Sequence, residues 1–262
     1  MDVFARDYAG GRFVTFSGPH LAALAVLAAV VVGLAVGGRR LGEAGRRRVR
    51  WGIVVALWGT ELSYHSWRLA CGTWTPREML PLHLCSVLVW LSGFLLLTRS
   101  RRLYELSYFW GLAGATQALV TPDIGPYGFP HYRFVQFFVT HGLIVATAVW
   151  FTAVEGFRPT WASLRRALTV LACYAVVVFG VNSGVGSNYL FLSRKPATKS
   201  LLDVLPGWPG YLPYLAGLAV VAFVLFYLPW AIRDAAAARR GPLTPGRRGR
   251  PGPSRPGATA AP

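Results

Sequence analysis

Long apolar runs recur along the chain at about 21–37, 51–70, 80–98, 103–121, 134–153, 164–185 and 211–232, separated by polar and mostly basic stretches. Each is near the roughly 20 residues that an α-helix needs to cross the hydrocarbon of a bilayer. None alternates with the period of a barrel strand, and in lipid every backbone amide must be satisfied within the structure, which leaves helices. The pattern predicts an all-α, polytopic membrane bundle of seven transmembrane helices. The expected organisation is an extracytoplasmic segment over 1–20, the bundle over 21–232 and a disordered, basic, Pro/Gly-rich cytoplasmic tail over 233–262.

Composition sharpens this picture. Of 262 residues, 54% are hydrophobic and 14% charged, a balance that excludes an ordinary soluble enzyme. The net charge of +17 would suggest nucleic acid in a soluble protein. Here the basic residues lie between apolar runs, so membrane phospholipids, not nucleic acid, are the expected partners. Loops that would share one side (38–50, 99–102, 154–166 and the tail) hold 19 of the 27 Lys and Arg, and the opposite set holds 8. The inside excess of basic residues puts the N-terminus outside, the C-terminus in the cytoplasm and the protein in the cell membrane. The first run could be a cleaved signal peptide, but Arg39 and Arg40 follow its apolar core where a signal peptide carries its charge before it, which favours retention as a helix. Three cysteines, Cys71, Cys85 and Cys173, are too few and scattered for a disulfide framework or a four-cysteine zinc site.

Polar residues within predicted spans are candidates for function because burying them in lipid is costly. They are Glu61 and His65 in the second span, His83 and Cys85 in the third, Gln117 in the fourth, His141 in the fifth and Asn182 in the sixth. Asp123, Asn188 and Tyr189 lie just outside. With a rise of about 1.5 Å per residue and alternating directions, they converge on one layer in the outer leaflet. Glu61 and His65, four apart, share a face, so the carboxylate can fix one ring N–H and leave the other nitrogen as a base or ligand. A purely structural pair is the alternative.

Pro81 suits a first helical turn, which would make Leu82–Cys85 helical and set His83 and Cys85 about 200° apart. Any base for Cys85 would then come from another helix. A thiol near a helix N-terminus, level with His141 or His65, suits a nucleophile, although a small packing residue is the commoner role. Glu61, His65, His141 and Cys85 or His83 could instead supply zinc-type ligands, but no tight metal signature is present, so neither metal nor cofactor is expected. The outer segment from Asn188 to Tyr211 is aromatic and proline-rich, and Arg194, Lys195 and Lys199 there run against the inside excess, as phosphate-holding residues would.

Glu61, the LPLHLC run at 80–85, Pro122-Asp123, the FFVTHG run carrying His141, and NYLFL followed by Lys195-Pro196 and GWPGY together resemble the YwaF-like integral membrane proteins, to which the eukaryotic transmembrane protein 164 looks related. The resemblance covers about 50–232, without the first helix or the tail. It implies a six- or seven-helix membrane protein and, through the eukaryotic relative, a phospholipid acyltransferase working through a cysteine acyl-enzyme. By motif the cysteine falls on Cys85 and the histidine on His141. Leu205-Pro206-Gly207-Trp208 departs from the usual glycine-proline-tryptophan run. Acyl donor and acceptor lipids would be the partners. His65 with Glu61 would orient or replace the base, and Asn182, Gln117 and Asn188 would hold an oxyanion or head group. A small-solute transporter or receptor, an intramembrane metal-dependent lipid hydrolase, and an assembly factor without chemistry are the competing expectations.

Overall fold

The computed structural model describes residues 2–196 and 201–239, and every regular element among them is helical. Four helices are long and apolar enough to cross a membrane: α1 (Gly18–Arg39), α7 (Tyr132–Ala153), α8 (Trp161–Val185) and α9 (Leu212–Arg239). Between α1 and α7 come α2 (Glu43–Ala70), the short α3 (Pro76–Met79), the apolar α4 (Leu84–Thr98) and α5 (Arg101–Leu106), which continues through a π-helical stretch, Ser107–Ala115, into α6 (Thr116–Val120).

Helix ends follow the local sequence. Thr160 and Ser163 form a reciprocal capping box at the start of α8, and Gly186 ends that helix in the left-handed conformation that glycine adopts without strain. The chain runs back and forth between two ends. At the end carrying the N-terminal segment, the His20 ring bonds the Leu119 carbonyl, Ser63 pairs with the Tyr132 hydroxyl, and the Trp67 indole donates to the Phe4 carbonyl. At the opposite end, Arg39 donates to the Ala153 carbonyl, and Arg50 and Arg99 both pair with the buried Glu155.

Helix α7 is the centre. In its most apolar stretch 67% of residues are buried, against 6% in α1, 11% in α8 and 6% in α9. It packs on α1, α2, α4 and the π stretch, and α2 and α4 also pack on each other. The core at this junction includes Leu57, Leu88, Phe109, Ile144, Trp150 and Phe151, all nearly or wholly inaccessible. Residues such as Val26, Val176, Val177 and Leu225 face outward, as lipid-facing positions do.

Several expectations need correction. The third helix begins at Leu84, not near Leu80: Leu80 precedes Pro81 and is extended, and its N–H bonds the Tyr189 hydroxyl. Leu82 and His83 are therefore outside the helix, and the 200° separation from Cys85 does not apply. The run over 103–121 is not one regular helix, because the π stretch interrupts it. The last helix passes position 232 and ends at Arg239, since the Arg233–Arg239 segment is alanine-rich, a composition that favours helix, and Asp234 pairs with Arg158. The rest of the expected tail, 240–262, and Lys199 lie outside the described residues.

Candidate functional site

Cys85 sits at the second position of α4. The first bond of that helix runs from the Val87 N–H to the His83 carbonyl, so the amides of Leu84, Cys85 and Ser86 have no partner within it. The thiol is partly buried and turned toward the π stretch: a Cβ on Gly114 would lie 3.9 Å from Sγ and 3.1 Å from Leu84 Cδ2. Glycine at 114 leaves room for it.

His141, on α7, is buried and stacked on Phe137 with ring centroids 4.0 Å apart. Its Nδ1 lies 2.8 Å from the Phe137 carbonyl, an acceptor, so Nδ1 carries the proton and Nε2 keeps its lone pair. Nε2 has no hydrogen bond among the described residues. The π stretch sets the level of this ring. Gly111 faces Ile144, with Cγ2 3.2 Å from a Cβ built there. Moving from Gly111 to Gly114 goes toward the end carrying the N-terminal segment, and so does moving from Ile144 back to His141, because the two elements are antiparallel. Cys85 against Gly114 and His141 one turn from Ile144 therefore lie on the same side of the Gly111–Ile144 contact.

Glu61 is buried on α2, within electrostatic reach of His65, Arg133 and Cys85. His65 Nε2 is 3.6 Å from Glu61 Oε1, and its Nδ1 accepts the Trp74 indole N–H at 2.9 Å. The loop tryptophan thus takes the Nδ1 lone pair, and Nε2 faces the Glu61 carboxylate beyond hydrogen-bond length. Arg133 lies over the Tyr64 ring at 4.3 Å and bonds Gln136, whose amide donates to Thr140 at 3.2 Å. This Arg133-Gln136-Thr140 row beside His141 was not among the sequence candidates, although its spacing of three and four residues marks one helix face.

Other candidates have separate surroundings. His83 packs its ring on Tyr189 and Phe191, at 5.1 and 5.6 Å. Asn182 uses its whole amide on the chain, accepting from the Ser187 hydroxyl and the Tyr189 N–H and donating to the Tyr189 carbonyl. Tyr189 is fully buried, donates to the Pro76 carbonyl and accepts from Leu80. Asn188 closes its own loop by accepting from Ser193 and Arg194 and donating to the Arg194 carbonyl. Lys195 donates to the Leu205 carbonyl at 2.7 Å. These four fasten the segment before α9. Gln117 is exposed and bonds Thr121, the residue just after its own helix, so it does not join the buried layer. Asp123 and Arg194 are exposed.

Two histidines escaped the sequence reading because they lie at span edges. His20 is fully buried, accepting from the Phe16 N–H and donating to the Leu119 carbonyl. His131 caps α7 by accepting from the Arg133 N–H, and it donates to the Ala5 carbonyl. Burial, chiefly, holds the His131 pKa below the usual imidazole value, with the nearby Arg133 charge adding to the effect. Among the described residues no three His, Cys, Asp or Glu side chains gather as a metal would require. The Glu61-His65 pair is short of the ligands expected for a metal-dependent hydrolase.

Membrane-length apolar helices around a buried polar layer define a helical integral membrane protein. Residues 15–227 match the model of the TMEM164 family, and the chain belongs to that family. The match takes in the first helix, which the sequence resemblance had left out, and it carries the transmembrane protein 164 half of that resemblance. An uncharacterized protein of Treponema pallidum (strain Nichols) is similar, 28% identical over 195 residues that cover 71% of this chain and 77% of the relative. No solved structure matches.

Proposed function

We propose that this protein is a phospholipid acyltransferase of the cell membrane, in which Cys85 is the nucleophile and His141 the base. Its apolar segments 18–39, 43–70, 84–98, 101–120, 132–153, 161–185 and 212–239 cross the bilayer seven times, with the N-terminus outside as the distribution of basic residues requires. The TMEM164 side of the resemblance supports this reading, and the wider YwaF-like grouping is part of the same proposal.

One observation carries the chemistry. His141 is buried with Nδ1 fixed by the Phe137 carbonyl and no hydrogen bond at Nε2 among the described residues, and it lies on the same side of the Gly111–Ile144 contact as a thiol at a helix N-terminus. In the proposed cycle His141 Nε2 takes the Cys85 proton as the sulfur adds to a lipid ester carbonyl. The carbonyl oxygen, now negative, meets the unpartnered amides at the start of α4, whose dipole favours an anion. Collapse breaks the ester C–O bond, and the leaving lysolipid oxygen takes the proton from His141, leaving a thioester on Cys85. A hydroxyl of a second lipid then loses its proton to His141, attacks the thioester and releases the thiol, which recovers the proton. Phe137 beneath the imidazole and its carbonyl at Nδ1 hold the ring in the tautomer the cycle needs.

The test is transfer of labelled acyl chains between phospholipids by the purified protein. Cys85→Ala and Cys85→Ser are expected to lower the rate about 1,000-fold or more while keeping the wild-type thermal transition. Wild-type transfer by Cys85→Ala would reject the scheme.

A further inference from the structure

At the end carrying the N-terminal segment lies a cleft of about 310 Å³ lined by Arg6, Trp67, Arg68, Thr73, Thr75, Glu78 and Tyr127. Its two cations differ. Arg68 Nη2 is committed to the Thr73 carbonyl and Glu78, whereas Arg68 Nε is buried and has no hydrogen-bond partner. The Arg6 guanidinium is exposed and makes no hydrogen bond among the described residues. It is held nearby by its backbone, since the Tyr127 hydroxyl donates to the Arg6 carbonyl at 3.1 Å. Both guanidinium groups lie within electrostatic reach of that hydroxyl. Thr75 opens α3 without using its side chain as a cap, which leaves one more hydroxyl for a ligand. Trp67 and Tyr127, edge to face at 5.7 Å, form the wall.

With Glu78 answering Arg68, the cleft keeps one positive charge in excess and spare donors but no spare acid, so it suits a phosphate oxyanion. Its position says which phosphate. Arg68 is seven residues from Glu61 and three from His65 on one face of α2, roughly 10 Å beyond Glu61 along the helix axis. Aromatic and basic groups at that height belong to the head-group layer of a bilayer.

We infer that this cleft binds the phosphate of a phospholipid head group, with the Arg6 guanidinium as its charged donor and the Thr75 hydroxyl beside it. This deepens the proposed acyl transfer by naming where the same lipid is anchored, and it rests on that reading for the lipid's fate but not for its binding.

The full-length protein in detergent is titrated by calorimetry with dihexanoyl phosphatidylglycerol below its micelle concentration, and separately with inorganic phosphate. Arg6→Gln is expected to weaken lipid binding roughly tenfold or more, the loss of one charge-assisted hydrogen bond, while Arg6→Lys keeps most of it. Arg6 is exposed and its side chain makes no hydrogen bond among the described residues, so its variants are expected to fold. Unchanged lipid affinity in Arg6→Gln would overturn the site. Inorganic phosphate that binds as tightly as the lipid would overturn the assignment to a head group. Cys85→Ala is expected to bind the lipid like wild type, so failure of the transfer scheme and failure of this site give different results.

Discussion

The two ends of the bundle spend their polar groups differently. At the end with the C-terminus of α9, acids and bases are paired with each other: Arg50 with Glu43 and Glu155, Arg99 with Glu155, Glu105 with Arg166 and Ser163, and Arg158 with Asp234. At the other end aromatic and neutral partners prevail, and the level below it keeps His141 Nε2 and the Cys85 thiol uncommitted. Buried charge that is fully answered fixes helices in place, whereas a buried base left open is available for chemistry.

The sharpest way to break that comparison uses the two histidines of the buried layer. In acyl transfer His141→Gln is expected to fall about 1,000-fold, and His65→Gln less than tenfold, because the Trp74 indole holds His65 Nδ1 while Nε2 faces the Glu61 carboxylate. Equal losses would show that the free nitrogen is not what matters. The paired end should instead respond in stability. The Glu155 side chain is inaccessible and faces two arginines, so Glu155→Ala leaves the buried Arg50 with Glu43 as its remaining partner and should cost about 2 kcal/mol, read from the denaturation midpoint.

Smaller still is the effect of pH on the strap formed by the N-terminal segment. His131 is neutral in the fold, accepting from Arg133, donating to Ala5 and stacked on Tyr127 at 4.3 Å. Its folded pKa lies below the unfolded value, so the unfolded chain binds the proton more readily. The contribution is fully present above about pH 6.5 and is lost as pH falls from there toward the folded pKa. Thermal stability should drop by under about 1 kcal/mol between pH 7 and 5, and a His131→Asn variant should lose that dependence. An unchanged pH profile in the variant would place the sensitivity elsewhere.

Much of the architecture was legible in hydropathy, because a membrane imposes length and composition on each helix directly. What the pattern could not contain was local competition for hydrogen bonds. Pro81 and the Tyr189 hydroxyl, far apart in sequence, together delay the start of α4 to Leu84. The π stretch brings Gly111 against Ile144 and Gly114 against Cys85, a pairing that a regular 3.6-residue period does not anticipate. The candidate site was read in the same uneven way. Cys85 and His141 stand out as rare groups in apolar helices, but His65 looks equally available until Trp74, from the following loop, is seen to occupy it. Asn182 likewise reads as a ligand group until its amide is found closing the turn at Tyr189.

The most direct measurement of the central claim is the mass of the peptide carrying Cys85 after the purified protein is incubated with a phospholipid of defined acyl chains. An added acyl group that hydroxylamine removes, present in wild type and absent in Cys85→Ala, is the predicted result. A Cys85 peptide that stays unmodified while transfer proceeds would contradict the acyl-enzyme and leave the thiol a packing residue.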